Sequence, residues 1–384
     1  MSDQRQTKLY KEKQERVAKT IRREEVDKPP FMLSADDYYP FYAGVEKSAV
    51  TSYDMATDVV AKVSDDLQFD TSLFPWLPAN LFYAPKIRIL GGGTYTVRNF
   101  EKMQDPEKVR IMGPEEYPEL IKNPNTYLLE TVLPRRFEVL QDINPEEKYN
   151  RIVEAVLGEG QKFSNYMQAC EEKGCHLTLS GLMVNPVDFL FDFFREFTGI
   201  VSDIKRCPEL VRDAGLAISE AYKPIIRSMK PASDKAIFIP MHIPAFLSPR
   251  DFEKTYWPSF KGFAEYMVEQ GHNVVYYFEK KYGHLFDYLQ ELPKKGIIGV
   301  FQEDDMRLVK KKLGSSMAVA GGLSTTLMQH GTKEECIEHV KGLIQDLCPG
   351  GGYFITPDTP MMYPVDGRPE NLKAVADYIR DCRL

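Results

Sequence analysis

A single α/β domain, a (β/α)8 TIM barrel spanning residues 1–384, is the fold that the sequence predicts, and three observations predict it. Eight short apolar runs of strand length recur along the 384 residues. From Ala236 onward these runs alternate with helical patterns that carry their own start signals. No repeat, low-complexity tract or linker divides the chain. Repeated β-then-α units demand parallel strands, and eight of them fit a closed barrel.

Residues 1–28 read as an N-terminal helical extension, in which Glu15 and Lys19 form an i,i+4 pair and Pro29-Pro30 stops the helix. The strands are expected at Phe31–Leu33, Asp66–Asp70, Cys175–Ser180, Ala236–His242, Asn273–Glu279, Gly296–Phe301, Ser316–Gly321 and Gly352–Thr356. Between the second and third, residues 86–99 are expected to form a β-hairpin insertion. There Ile87 and Ile89 alternate before Gly91-Gly92-Gly93, and Tyr95 and Val97 alternate after it. No Lys-Ser/Thr and no helix follow the glycines, so the triplet reads as a turn rather than a phosphate cradle. Residues 146–173 have a helical pattern. Ser248-Pro249 with Asp251 forms a cap with proline at the first helical position, and Thr332-x-x-Glu335 is a capping box.

Lys and Arg number 49 against 56 Asp and Glu, a net charge of −7, which argues against a nucleic-acid partner. No stretch of 18 or more apolar residues exists, so no membrane span is expected. The first 28 residues are rich in charge and lack the apolar segment of a secretory signal. None of the six cysteines forms a CxxC pair, and Cys170/Cys175 reads as free thiols before it reads as a metal cue, so the expected setting is the reducing cytoplasm.

In such a barrel, chemistry sits at the C-terminal strand ends and in the loops that follow. This places Asp36, Asp37, Tyr38 and Tyr39 after strand one, His242 at the end of strand four, Tyr277 and Glu279 at the end of strand five, Gln302 to Asp305 after strand six, and Asp358 after strand eight. Alternation puts Phe238, Pro240 and His242 on one face of strand four, and Val275, Tyr277 and Glu279 on one face of strand five. If both faces point inward, an imidazole and a carboxylate meet at the mouth, where they could bind a metal or work as acid and base. The bland alternative is a satisfied buried histidine and a helix-capping carboxylate. Asp305 reads as an N-cap. Tyr38, Tyr39 and Trp76 pack in the core or suit a flat aromatic ligand, and both readings stay open.

Several stretches together resemble the uroporphyrinogen decarboxylase superfamily in its corrinoid-methyltransferase branch. Glu15-Arg16-Val17 through Val26-Asp27-Lys28-Pro29-Pro30 resembles the family's opening motif, and Asp203 through Arg206-Cys207-Pro208-Glu209 its mid-chain motif. Leu247-Ser248-Pro249 followed by Phe252 to Pro258 is similar to a third. Gly321-Gly322-Leu323, His330-Gly331-Thr332 with Glu334-Glu335, and Pro369-Glu370-Asn371 are similar to the closing ones. The likeness spans nearly the whole chain and is specific for the superfamily more than for a reaction.

Two departures refine it. The arginine-rich element with which the haem-pathway decarboxylase grips propionates has no counterpart after Pro30, where acidic and aromatic residues stand. The His-x-Cys of the thiol-methylating members is replaced by Tyr277-Phe278-Glu279, and Ala320 stands on strand seven. What remains is similar to the ether-cleaving members, with His242 and Glu279 in the matching places and Lys280 where those members have glycine. The resemblance therefore implies transfer of a methyl group from a small O-methyl donor, an aryl ether above all, to the Co(I) corrinoid (cobalamin type) of a partner protein. It implies His242, Glu279 and Tyr277 as catalytic residues and zinc on His242, Glu279 and Asp304. Asp36, Tyr38, Tyr39 and Trp76 would orient the substrate, and homodimerisation is compatible with it. A cofactor-free decarboxylase (a lyase) gripping its substrate through Arg98, Arg135, Arg136 or Arg368 is the alternative. A non-catalytic binding member of the family is a further one.

Overall fold

The computed structural model describes residues 2–92, 95–98, 101–104 and 111–384. Eight parallel strands form the barrel: β1 Met32–Leu33, β2 Thr71–Ser72, β3 Leu179–Leu182, β4 Ala236–Met241, β5 Asn273–Phe278, β6 Ile297–Phe301, β7 Ala318–Leu323 and β8 Tyr353–Pro357. Strands β3 to β8 pair in chain order as one parallel sheet, and β1 pairs with β2. Single bridges Ser72↔Leu177 and Phe31↔Ile355 join the two sheets on either side and close the ring.

Alternation decides what each strand shows to either side. Phe238 of β4, Val275 and Tyr277 of β5, Ile298 and Val300 of β6, and Ala318 and Ala320 of β7 fill the interior. Their neighbours Ile237, Ile239, Tyr276 and Phe278 pack outward against the helices. The N-terminal helix α1, Ser2–Ile21, seals the lower end by placing Val17 and Ile21 in the interior cluster. Beneath it Asp70 receives Arg16 Nη1 at 2.6 Å, Lys28 Nζ at 2.6 Å and the Phe31 amide at 2.9 Å, while Arg16 also grips Asp27 through two nitrogens. The opening motif is thus a structural clamp at the barrel floor.

Three local expectations are corrected. α1 ends at Ile21, not at residue 28, because Arg23 turns into the left-handed region at φ 63° before the prolines are reached. The second strand is not Asp66–Asp70. Helix Tyr53–Leu67 runs through its first half, Gln68 closes that helix at φ 51°, and the strand follows at Thr71. The hairpin does not begin at 86: Ala84–Leu90 is helical, with Pro85 in its first turn and Gly91 at φ 71° ending it. Two isoleucines one residue apart are too few to separate a strand from a helix. An antiparallel pair does follow, Tyr95–Arg98 with Glu101–Gln104, and Gly93 lies outside the described residues.

Candidate active site

In the parallel ladder of β4 and β5, Pro240 stands beside Tyr277 and Met241 beside Phe278. One step further this register sets His242 beside Glu279, just beyond the ends of both strands. The side chains meet: His242 Nε2 is 3.4 Å from Glu279 Oε1. The other ring nitrogen, Nδ1, is 3.0 Å from Asp192 Oδ1. Asp192 comes from the segment after β3, where helix Pro186–Leu190 continues into a wider turn at Phe191–Arg195. One turn earlier, the fully buried Asp188 accepts the Ile243 amide at 2.9 Å and the Tyr256 hydroxyl at 2.5 Å. It thereby fixes the backbone that carries the imidazole.

Three carboxylates around one imidazole set its charge. Burial alone would lower the pKa of His242, but the hydrogen bonds to Asp192 and Glu279 and the nearby Asp188 outweigh it and raise the pKa to about 11. Burial pushes Asp188 up to about 6, against the pull of the His242 cation. At neutral pH His242 is an imidazolium whose Nε2 proton points toward Glu279 and a cavity of about 360 Å³. Phe191, Phe197, Phe246, Ile243 and Lys280 complete its lining. The three phenylalanines meet edge to face, Phe191 with Phe197 at 6.2 Å and Phe197 with Phe246 at 5.3 Å, and Phe191 stands edge-on to the imidazole at 5.9 Å.

Strain surrounds this wall. Glu196, directly before Phe197, sits at φ 52° and ψ 179°, a conformation otherwise kept for glycine. Buried Arg195 holds it there through Asp203 at 2.6 and 3.0 Å and the Met112 carbonyl. Lys280, at φ 67°, is fixed by its amide to Gln302 Oε1 at 3.0 Å and its ammonium to Glu303 at 3.0 Å. This left-handed backbone is one that glycine adopts without strain.

The other expected site residues are placed elsewhere. Tyr277 points into the barrel interior, 3% exposed, with its hydroxyl 3.5 Å from the Asp358 carbonyl. Tyr38 donates to the Gly367 carbonyl at 2.6 Å, Tyr39 shares a hydrogen bond with Ser72 Oγ at 2.7 Å, and Trp76 donates to Asp37 at 2.9 Å. All three are buried in the core, so their rings hold the β1 and β2 loops rather than line the cavity. Asp36 accepts the Leu77 amide at 3.0 Å, and burial raises its pKa to about 7.

Zinc is not matched by the donor set. Both oxygens of Asp304 accept backbone amides, from Tyr282 at 2.7 Å and Gly283 at 3.0 Å, which makes it the clamp of a turn. His242 already has a carboxylate at each ring nitrogen, Asp192 at 3.0 Å and Glu279 at 3.4 Å. Among the described residues no three His, Cys, Asp or Glu side chains are arranged to hold a metal ion. Of the arginines of the decarboxylase alternative, Arg135, Arg136 and Arg368 are not among the residues that line the cavity. Arg135 bonds Glu116 and the Ile111 carbonyl, Arg136 bonds the Phe193 carbonyl, and the side chain of Arg98 is outside the described residues.

Asp188, Asp192 and the phenylalanine wall were missed in the sequence, although Asp188 and Asp192 stand one helical turn apart after a barrel strand.

No curated protein matches the sequence. Among solved structures, a methyltransferase from Methanosarcina mazei is similar with a TM-score of 0.58 at 14% identity, covering 96% of this chain and 98% of that one. That likeness is one of fold. A model of the uroporphyrinogen decarboxylase (URO-D) family matches residues 135–382, well over half of the chain and all but two of the barrel strands, and the protein belongs to that family.

Proposed function

We propose that the protein is a methyltransferase that removes the methyl group from an aryl methyl ether and delivers it to the Co(I) corrinoid of a separate protein. One observation carries this reading: His242, held between Asp192 and Glu279, opens onto a phenylalanine-lined cavity at the C-terminal rim of the barrel. The acceptor, a strong nucleophile, supplies the electron pair that forms the new bond to the methyl carbon. This chain deals with the leaving oxygen. As the O–CH3 bond breaks, its electrons stay on oxygen, and a phenolate with a reference pKa of about 10 needs a proton to depart.

His242 Nε2 carries that proton. When the ether oxygen enters, it takes the place of Glu279 as the partner of Nε2. Losing that carboxylate brings the imidazolium pKa down toward that of the phenol, where proton transfer is most effective. Asp192 keeps Nδ1 and stabilises the ring in both states. Phe191, Phe197 and Phe246 hold the aromatic ring of the donor and exclude water.

The test is incubation of the protein with a panel of methylated aryl ethers and a Co(I) corrinoid protein, following the cobalt spectrum. Methylation of the cobalt with at least one donor, lost in His242→Gln, is the expected result. No methylation with any donor overturns the reading, and carbon dioxide release without a corrinoid would replace it with the decarboxylase.

A further inference from the structure

We propose that the floor of the barrel carries a binding site for a small phosphate-bearing metabolite, built around Lys13 and Arg383 and separate from the His242 cavity. A cavity of about 440 Å³ opens there between α1, the segment before β1, the residues leading into β2 and the C-terminal helix Pro369–Asp381. Six cationic side chains line it: Lys8, Lys13, Arg16, Lys28, Arg380 and Arg383. Glu12, Asp27 and Asp70 oppose them in the lining, and Asp377 and Asp381 pair with Arg380 from outside it, so that the net excess of positive charge is small and falls on Lys13 and Arg383. In a chain of net charge −7 even a small local excess runs against the overall balance.

The decisive residue is Lys13. It is 4% exposed, and lysine is almost never so buried without a partner. Among the described residues its ammonium has neither a hydrogen bond nor an ion pair; the Phe69 ring lies 5.8 Å from it, and Asp70 and Asp65 act on it only at longer range. Asp70, the nearest carboxylate that could serve, is already committed: Oδ1 to Arg16, and Oδ2 to Lys28 and the Phe31 amide. Burial accordingly pulls the pKa of Lys13 down, with Asp70 only partly opposing it. A charge desolvated in this way calls for an anion.

The surrounding donors suit one. Lys28 spends one of its three protons on Asp70. Arg383, which lines the cavity, spends Nη1 on the carbonyls of Arg380 and Cys382, at 3.1 and 2.5 Å, and keeps Nε and Nη2 without hydrogen bonds among the described residues. A phosphate dianion accepts from ammonium and guanidinium donors together, and the volume accommodates a phosphate monoester of modest size. The ligand would tie α1 to the C-terminal helix across the end of the barrel opposite the strand ends that carry His242 and Glu279.

The experiment is thermal denaturation and calorimetric titration of the full chain with inorganic phosphate, at constant ionic strength set with chloride, for the wild type, Lys13→Met and Arg383→Gln. The wild type is expected to bind at millimolar phosphate or below and to melt later as phosphate rises. Lys13→Met, which removes a charge without a hydrogen-bonded partner while keeping the side-chain length, is expected to fold, to be at least as stable without phosphate, and to bind roughly tenfold or more weakly. Arg383→Gln, at an exposed position, should weaken binding in the same direction. His242→Gln should bind phosphate as the wild type does, which separates this site from the proposed active site. Vesicles of phosphatidic acid, which display the same group on a surface, should not compete with free phosphate. The proposal is overturned by the absence of phosphate binding in the wild type, by equal affinity in Lys13→Met and Arg383→Gln, or by binding to the vesicles alone.

Discussion

Asp192 Oδ1 and His242 Nδ1 are 3.0 Å apart, joining the turn after β3 to the end of β4. This contact settles which nitrogen faces the cavity. With Nδ1 taken, the Nε2 proton is left to Glu279 at a looser 3.4 Å, and Glu279 is the more exposed of the two carboxylates, at 41% against 18%. The imidazole thus has one close, sheltered partner and one that is looser and more exposed.

Asp192→Asn should therefore lower the pKa of His242 from about 11 toward the ordinary value near 6.5. NMR titration of the ring is the measurement, and it does not depend on knowing the substrate. An unshifted titration would show that Asp192 is not what holds the charge. If His242 protonates the leaving oxygen, methyl transfer at neutral pH should fall by roughly two orders of magnitude in the same variant.

The same shift makes stability depend on pH. The folded pKa of His242 lies above the unfolded value, so the folded state holds an extra proton between the two. Its contribution is complete below an unfolded pKa of about 6.5 and is lost as pH rises through about 11. Urea unfolding at about pH 7 and about pH 10 should show the wild type losing more stability over that interval than His242→Gln. Equal losses would mean that the imidazole is not charged in the folded protein.

Most of the barrel was legible because its cause is local. Alternation along β4 and β5 is a property of the chain itself, and it brought His242 to Glu279 without any knowledge of tertiary contacts. Asp188 and Asp192 were not read because their role exists only once the helix after β3 lies across the end of β4. The residues are separated from His242 by 54 and 50 positions, and a pair of acids on a helix looks like a solvated face. Tyr38, Tyr39 and Trp76 were read as ligand-facing or core from residue type alone, and the choice turned on hydrogen bonds to Gly367, Ser72 and Asp37 that composition does not encode. The motifs that carry the family resemblance are mainly scaffold. Arg16 and Asp27 clamp the barrel floor, Asp203 holds Arg195, and Asn371 donates to the Met328 and Gly331 carbonyls at 2.8 and 2.9 Å. They identify the architecture and leave the reaction to a few rim residues.

Lys280 tests how much strain the rim stores. A residue with a β-carbon at φ 67° costs about 1 kcal/mol or more over glycine. Its ion pair with Glu303 is too exposed to offset that. Lys280→Gly should raise the unfolding free energy by about 1 kcal/mol, reduced by the greater freedom of glycine in the unfolded chain. Denaturant titration checks the sign. A loss of stability would mean that the lysine contacts matter more than the backbone.

Phe246 tests whether the aromatic wall holds a substrate. It is 58% exposed, so Phe246→Ala should change stability by no more than about 0.5 kcal/mol. Its ring meets Phe197 at 5.3 Å and an 80° angle, forming the outer edge of the cavity. If that edge holds the ring of an aryl ether, its loss removes an aromatic contact worth about 0.5–1.5 kcal/mol, equivalent to a rise in KM of roughly two- to tenfold. The contact is the same before and during methyl transfer, so kcat should stay unchanged. Donors without a ring should be processed equally by the variant and the wild type. A fall in kcat matching the fall in kcat/KM would instead place Phe246 among the groups that align the methyl carbon, and a uniform effect on ringless donors would remove the aromatic wall from the recognition of the substrate.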